Sequence, residues 1–321
     1  MCHFRRLCTA FAISAAAAAA PADYDLVIQG GRVLDPESGL DAPLNVGIRG
    51  GEIAAITEDP LVGAEILDAS GHIVAPGFID LHAHGQDPVS RALQAADGVT
   101  TALELEIGVY PVKPWYDAQA GTSPIHYGAT VGHLPARIKV KTGLDVGHTA
   151  TAPPAQRAQM AGGDWANAPA TPDEIEQISA LLREGLQQGA LGLGYGIAYT
   201  PGATQQEIFE TMKVAPEAGV PVFVHMREGT DFPLDEPLGA VQEMLANATA
   251  TGASLHIVHL NSSTAKQARA ALDMIRGARQ RGIDVTTESY PWDAGSTRLE
   301  SALFDNWGDD GEKFEDLLWV E

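Results

Sequence analysis

Seven short apolar runs recur along the chain after residue 73, and stretches of helical composition separate several of them. The runs begin at Gly77, Thr100, His126, Leu191, Pro221, Ser254 and Asp284. Strands that alternate with helices form a parallel sheet with right-handed crossovers. In a chain of 321 residues, this pattern predicts an α/β fold, a TIM-like (β/α) barrel that is incomplete because a closed barrel has eight strands.

One helix can be located from its first residues. Thr171 is followed by Pro172, Asp173 and Glu174. Threonine is a favoured N-cap residue, proline is tolerated in the first turn, and acidic side chains interact favourably with the positive end of a helix. The sequence therefore predicts a helix that begins here and continues to about Gln188.

A different pattern precedes the apolar runs. Residues 24–75 form short segments of alternating apolar and polar side chains, interrupted by glycine, proline and aspartate. This alternation indicates strands with one buried face, which must pack against another layer. We predict a small N-terminal β-sandwich module over residues 23–75, followed by the incomplete barrel over residues 76–321.

The first 22 residues match the pattern of a secretory signal peptide. Arg5 and Arg6 form a basic start, an apolar stretch follows, and small residues precede a cleavage point near Ala20 or Ala22. The apolar stretch is too short for a bilayer, although a helical membrane anchor is the alternative. We expect a periplasmic or secreted bacterial protein. Both cysteines lie in this segment, so the mature chain would have no thiol.

The charge balance restricts the possible partners. The chain has 42 acidic and 20 basic residues and a formal net charge of -22. Binding to nucleic acid requires lysine and arginine to neutralise phosphates, so this composition argues against it. No segment after residue 22 is apolar for long enough to cross a membrane. A small-molecule substrate is the expected partner, and the sequence leaves the oligomeric state open.

Histidines and acids lie in or directly after several of the apolar runs. They are His82 and His84 in the first run, Glu104 and Glu106 in the second, and His225 and His259 after two later runs. His82 and His84 are two residues apart, so on an extended chain their side chains project to the same side. Imidazole and carboxylate ligands suit zinc, which predicts one or two Zn2+ ions at the carboxyl ends of the strands. Other histidines are expected to be surface or structural residues: His72, His126, His148 and His256.

The order of the motifs resembles that of a known superfamily. Gly77-Phe-Ile-Asp-Leu-His82-Ala-His84 resembles the opening of the amidohydrolase superfamily. Later motifs are similar to those of the D-aminoacylases, the N-acyl-D-amino-acid deacylases, and the resemblance covers nearly all of residues 24–300. These motifs are Asp97-Gly-Val-Thr-Thr, Val131-Gly-His133-Leu-Pro-Ala-Arg137, Gly189-Ala-Leu-Gly-Leu-Gly, His225-Met-Arg227, Val258-His259, Tyr290-Pro291 and Ala294-Gly-Ser-Thr297.

The resemblance implies a hydrolase of non-peptide carbon–nitrogen bonds that deacylates N-acyl-D-amino acids through a metal-activated water. By the positions of the motifs, His82 and His84 would hold one metal ion, and His225 with His259 would hold the other. Tyr290 would be placed where it could stabilise the oxyanion.

The same resemblance implies residues that bind the substrate. Arg227, Ser296 and Thr297 are candidates for the substrate carboxylate, because an anion favours a pocket with cationic or hydroxyl groups. His133 would either contact the substrate or pack in the interior.

The second strand departs from the family pattern. Many D-aminoacylases have a cysteine ligand there, whereas this chain has Leu103-Glu104-Leu105-Glu106. We interpret a glutamate as the replacement and prefer Glu106 as a bridging ligand because it lies nearer the strand end, with Glu104 as the alternative. Other amidohydrolases use a carboxylated lysine on the fourth strand, and Ala190-Leu-Gly-Leu-Gly-Tyr contains none. Its absence weakens the rival interpretation, a cyclic-amide hydrolase similar to dihydroorotases or hydantoinases.

A second departure concerns the catalytic aspartate, which in the superfamily follows the eighth strand and transfers the proton from the attacking water. Only seven strand-like runs are present, and Asp309 and Asp310 lie in a polar stretch with no apolar strand before it. We therefore expect a chain that is truncated at its C-terminal end. A catalytically dead fragment that only binds metal is the second alternative.

Overall fold

The computed structural model describes residues 22–160, 164–227, 237–298 and 301–302. The predicted signal peptide, apart from residue 22, and the Asp309–Asp310 pair lie outside these ranges. The chain divides into two compact units, Met1–Pro76 and Gly77–Glu321. No helix within the described ranges is long and apolar enough to cross a bilayer.

The first unit is built around one mixed β-sheet. Its strands are β1 (Tyr24–Asp35), β2 (Leu40–Arg49), β3 (Glu52–Thr57), β4 (Gly63–Asp68) and β5 (Ile73–Val74). They lie in the order β3-β2-β1-β4, with β5 also paired to β1. Strand β2 is antiparallel to β1 and β3, whereas β4 and β5 run parallel to β1. Val27, Val33 and Val46 in these strands are buried.

The second unit contains a seven-stranded parallel sheet. Its strands are β6 (Phe78–Asp80), β7 (Val99–Val109), β8 (His126–Gly132), β9 (Leu193–Gly196), β10 (Val222–His225), β11 (Leu255–Ile257) and β12 (Val285–Thr287). Each strand pairs in parallel with the next one along the chain. The sheet is curled, since β7 also approaches β9 and β10, which are not its neighbours. All seven predicted strands are confirmed, and the fold is an incomplete TIM-like barrel.

Helices fill most of the connections between these strands. They are α1 (Pro88–Ala96), α2 (Val112–Gln119), α3 (His133–Thr142), α4 (Pro154–Met160), α5 (Pro172–Gln187), α6 (Gln205–Met212), α7 (Val214–Ala218), α8 (Leu238–Thr251), α9 (Leu260–Thr264) and α10 (Ala268–Arg279). Helix α5 presents Ile175, Ile178 and Leu182 to the interior at helical spacing. They belong to the same core as Val131 of β8 and Leu193 of β9, so this core fixes the positions of the strand ends.

The start of α5 confirms the predicted helix and allows a test. The Thr171 side chain accepts a hydrogen bond from the Glu174 backbone N–H, and the Glu174 carboxylate accepts one from the Thr171 N–H. This capping box satisfies two N–H groups that otherwise have no intrahelical partner. Thr171→Ala is expected to lower the free energy of unfolding by about 1 kcal/mol in urea denaturation. Thr249→Ala, at an exposed position inside α8, is the control and should change it by less than about 0.5 kcal/mol.

Candidate metal centre

Titratable side chains from five of the seven parallel strands meet at the carboxyl ends of the sheet. They are His82 and His84 after β6, Glu104 and Glu106 in β7, His225 at the end of β10, His259 after β11 and Glu288 after β12. This is the edge where parallel (β/α) folds carry their sites. The two glutamates are buried, with 0% and 1% of their surface exposed.

A break in the pairing of β7 with β8 places the two glutamates. The register of the two strands shifts between Glu104 and Val109, and Gly108 within this segment has φ +65. A Cβ at Gly108 would lie 2.5 Å from the Thr130 hydroxyl and 2.7 Å from the Gly132 backbone nitrogen. Only glycine fits this conformation and this spacing. The irregularity keeps Glu104 and Glu106 inside the sheet with their carboxylates turned towards the histidines.

The Glu106 carboxylate lies between two pairs of imidazoles. Its Oε2 is 3.0 Å from His82 Nε2 and 2.7 Å from His84 Nε2. Its Oε1 is 2.7 Å from His225 Nδ1 and 3.2 Å from His259 Nε2. Within each pair the two nitrogens are 3.1 Å apart. Each oxygen of the Glu106 carboxylate therefore contacts one pair of imidazoles, which is the arrangement expected of a bridging ligand.

The opposite ring nitrogens of three of these histidines have partners of their own. His82 Nδ1 is 2.5 Å from Glu288 Oε1, and His84 Nδ1 is 2.7 Å from Glu104 Oε2. His259 Nδ1 is 3.0 Å from Ser263 Oγ, and its backbone has φ +30. Positive φ is uncommon for a residue other than glycine and is found mainly at functional sites. These contacts direct the remaining nitrogen of each ring towards Glu106.

The electrostatics of the cluster favour added positive charge. Burial raises the pKa of Glu106, but hydrogen bonds with His225, His259, His82 and His84 outweigh this effect and hold its pKa well below the ordinary value. Burial lowers the pKa of His82, yet hydrogen bonds with Glu106 and Glu288 raise it to about 9. Buried ionised carboxylates thus stabilise cationic imidazoles, and a metal cation would supply the same positive charge while releasing those protons. The donor set fits a divalent ion that prefers nitrogen and oxygen ligands.

Two residues close to this cluster were not predicted from the sequence as site residues. Glu288 contacts His82, and its backbone oxygen accepts a hydrogen bond from the Leu260 N–H. His148, expected to be surface or structural, has its Nε2 2.6 Å from Glu104 Oε2 and is 5% exposed. Glu288 directly follows β12, so its position at a strand end is a sequence signal that indicates a site residue. His148 lies in the segment after α3 and does not directly follow a strand, so periodicity gave no signal for it.

The predicted substrate-binding residues are spread around this cluster. The Tyr290 ring is half-buried, with its centroid 6.4 Å from that of His259. Arg227 donates through Nε and one terminal nitrogen to the two oxygens of Glu243, each at 3.3 Å. Ser296 and Thr297 are exposed. The structure therefore brings Tyr290 towards the histidines, pairs Arg227 with an acid, and leaves the two hydroxyl groups at the surface.

His133 lies in the core, away from the four histidines around Glu106. It is 0% exposed, its Nε2 is 2.9 Å from Glu207 Oε1, and its ring stacks on Tyr195 at 5.0 Å. The guanidinium of Arg137, also 0% exposed, donates to the same carboxylate and to the backbone oxygens of Trp165 and Ala168. Of the two roles that the sequence left open for His133, packing in the interior fits this environment, since no surface of the ring is open to a substrate.

The carboxylate of Glu207 makes stability depend on pH. Burial raises its pKa, but hydrogen bonds and charge interactions with His133 and Arg137 lower the pKa from 4.5 to about 2. A depressed folded-state pKa contributes stability that is present above pH 4.5 and lost as the pH falls towards 2. We expect Glu207 to account for about 2 kcal/mol of the stability lost between pH 5 and pH 3. Urea denaturation at both pH values measures this: the loss should be smaller in Glu207→Gln, and equal losses would contradict the prediction.

Comparisons with known proteins find relatives of this chain among amide hydrolases. No protein-family model matches the chain. An N-acyl-D-glutamate deacylase of Alcaligenes xylosoxydans xylosoxydans is 32% identical in an alignment of 302 residues that covers 86% of this chain and 58% of the relative. A D-aminoacylase of the same organism is 29% identical over 304 residues, again 86% of this chain and 59% of the relative. Over most of its length, the chain is therefore similar to D-aminoacylases and N-acyl-D-glutamate deacylases.

A solved structure shows the same similarity. The N-acyl-D-glutamate deacylase of Bordetella bronchiseptica, complexed with zinc and a phosphonate inhibitor, is 25% identical with a TM-score of 0.65. The match covers 84% of this chain and 59% of that protein. Allantoinases and dihydroorotases also match, at 28% and 27% identity. The chain thus spans somewhat less than two thirds of the length of its relatives, and the matched part contains the Glu106 cluster.

Proposed function

We propose that this protein is a zinc-dependent amidohydrolase that deacylates N-acyl-D-amino acids. The observation that carries the proposal is the Glu106 carboxylate, which has one imidazole pair on each oxygen. His82, His84, His225 and His259 would hold one or two zinc ions together with Glu106. Bound zinc would supply Lewis-acid activation of the amide carbonyl and of the attacking water.

The residues around the metal ligands would bind and orient the substrate. The Tyr290 hydroxyl would donate to the carbonyl oxygen as negative charge develops on it. Ser296 and Thr297 would donate to the substrate carboxylate from their exposed hydroxyl groups. Glu243 accepts from two of the five N–H donors of Arg227, so this guanidinium would contribute a pre-oriented cation beside the site.

Two other functions are considered because particular observations favour them. Metal binding without turnover is considered because the Glu106 cluster offers ligands for a metal ion whether or not hydrolysis follows. Hydrolysis of a cyclic amide is favoured by the matches to allantoinases and dihydroorotases. The lack of lysine in β9, together with the higher identity to the two deacylases, supports the linear-amide function over this last alternative.

The site can be tested by measuring its metal and its substrate together. Elemental analysis of the purified full chain should find one or two equivalents of zinc. Release of amine should be faster from N-acetyl-D-glutamate or N-acetyl-D-methionine than from the corresponding L compounds. Zinc without turnover would leave the metal-binding alternative, opening of dihydroorotate or allantoin would identify the cyclic-amide alternative, and the absence of bound metal would contradict the proposal.

We also propose that residues 1–22 are a signal peptide and that the mature protein acts in the periplasm or is secreted. The two basic residues Arg5 and Arg6, followed by an apolar stretch, support this proposal. Expression with this segment in a Gram-negative host should yield a protein in the periplasmic fraction whose mass corresponds to cleavage near Ala20 or Ala22. An uncleaved protein in the membrane fraction would indicate an anchor instead.

A further inference from the structure

Two of the proposed metal-ligating imidazoles have a carboxylate on the ring nitrogen that faces away from the centre. His82 Nδ1 is 2.5 Å from Glu288 Oε1, and His84 Nδ1 is 2.7 Å from Glu104 Oε2. The Nε2 atoms of the same rings are 3.1 Å apart and both face Glu106 Oε2. Each of the two rings is therefore held by a carboxylate on Nδ1 and faces Glu106 through Nε2.

A metal ion bound at the Nε2 atoms would decide which nitrogen of each neutral ring carries the hydrogen. Nε2 would then be the ligand, and Nδ1 would be the donor to the ionised carboxylate of Glu288 or Glu104, which accepts hydrogen bonds and donates none. The lone pair of each neutral imidazole is then on Nε2, where a metal ion would be bound. A carboxylate on the far nitrogen also fixes the ring orientation and raises the basicity of the ligating nitrogen.

Glu104 is itself held by two further donors. Its Oε2 also contacts His148 Nε2 at 2.6 Å, and its Oε1 accepts the Ile107 backbone N–H at 3.2 Å. Both oxygens of Glu104 are thus engaged by protein groups, and one of its partners, His148, lies outside the set around Glu106. By contrast, both oxygens of Glu106 face the convergent imidazole nitrogens. The two glutamates of β7 therefore have different partners: Glu106 faces four imidazoles, whereas Glu104 faces two imidazoles and the Ile107 N–H.

We propose that Glu104 and Glu288 are positioning residues that fix the Nδ1–H tautomers of His84 and His82, with His148 holding Glu104 in place. This inference rests on the metal centre of the proposed function. It assigns a role to Glu104 other than metal ligation, which the sequence had left as an alternative, and it gives Glu288 a role that the sequence did not indicate.

The test measures zinc affinity by competition with a chelator, zinc equivalents at saturation, and the absorption spectrum of the Co2+-loaded protein. The variants are Glu104→Gln and Glu288→Gln, each of which keeps the shape of the side chain and removes its charge. Glu288, whose side chain is 23% exposed, is the second variant in case the buried Glu104 does not tolerate replacement. Glu184→Gln is the matched control, because Glu184 contacts Tyr110 and Gln188 and no histidine.

We expect each positioning variant to bind zinc about 10–100-fold more weakly than the wild type, with unchanged equivalents at saturation and an altered Co2+ spectrum. The metal-free Glu288→Gln protein should still unfold in one cooperative transition, which would show that the weaker zinc binding is not caused by loss of the fold. Loss of a zinc equivalent in Glu104→Gln would make Glu104 a ligand and overturn the inference. Unchanged affinity and spectrum in both variants would also overturn it. If the wild type binds no zinc, the proposed function and this inference both fail. If the wild type binds zinc and the variants bind it equally well, only this inference fails.

Discussion

Replacing Glu106 with glutamine is expected to remove most of the bound metal and to lower the rate of amide hydrolysis by about 10³-fold. The Glu106 carboxylate is 1% exposed and touches the convergent nitrogens of all four predicted histidine ligands. An amide of the same shape has no charge to balance a cation and only one oxygen to offer. Elemental analysis and amine release from N-acetyl-D-amino acids would measure the two effects.

The control for this substitution is Glu184→Gln, which changes the same functional group on the exposed side of α5. It should keep both the metal content and the rate of the wild type. If Glu106→Gln kept its full metal content and rate, the assignment of Glu106 as the bridging ligand would be wrong. Normal metal content with no turnover would instead place the contribution of Glu106 in the chemistry rather than in metal binding.

The second large effect is expected from Arg137→Ala, which should lower the free energy of unfolding by about 3–5 kcal/mol. Arg137 and Glu207 are both 0% exposed and form an ion pair, and Arg137 Nε also donates to the Trp165 backbone oxygen at 2.7 Å. Removing the arginine leaves a buried carboxylate without its main counter-charge and a backbone acceptor without its donor. Urea denaturation at pH 7 would measure the change.

The double variant Arg137→Met with Glu207→Leu separates the two causes of this loss. Because no charge remains unpaired, the double variant should be more stable than Arg137→Ala, even though it also lacks the hydrogen bonds of the pair. A double variant that is less stable than Arg137→Ala would show that the contacts of the pair, rather than the unpaired charge, dominate. The exposed pair Lys113–Asp117 offers a comparison, since Lys113→Ala should cost less than about 1 kcal/mol.

The fold could be predicted closely from the sequence because its signals are local. Each of the seven parallel strands coincides with an apolar run, and α5 begins at the residue that the N-cap pattern indicates. The sequential order of the strands follows from short helical connections, which place each strand beside the next. The register shift in β7 was not predicted, because it depends on the packing of Gly108 against Thr130 in the neighbouring strand.

The candidate site was predicted in part. The residues that converge on Glu106 are those that lie at the strand ends, and parallel strands bring their carboxyl ends to one edge. The preference for Glu106 over Glu104 rested on its place nearer the strand end, and the geometry gives the two glutamates different partners. Arg227 and His133 were selected by resemblance. Their contacts with Glu243 and Glu207 could not be predicted from spacing, because these partners are 16 and 74 residues away.

The sequence by itself determined the strands, the helix starts and the type of ligand that each strand end offers. Periodicity and capping act over a few residues, so the chain records them directly. Only the tertiary structure decided which nitrogen of each histidine faces the centre. The Nδ1 atom of His82 contacts Glu288, 206 residues further along the chain. Glu104 contacts His148, which lies in the segment after α3 and does not directly follow a strand. Such contacts depend on the curl of the sheet and on side-chain orientation, which arise only when distant segments pack together.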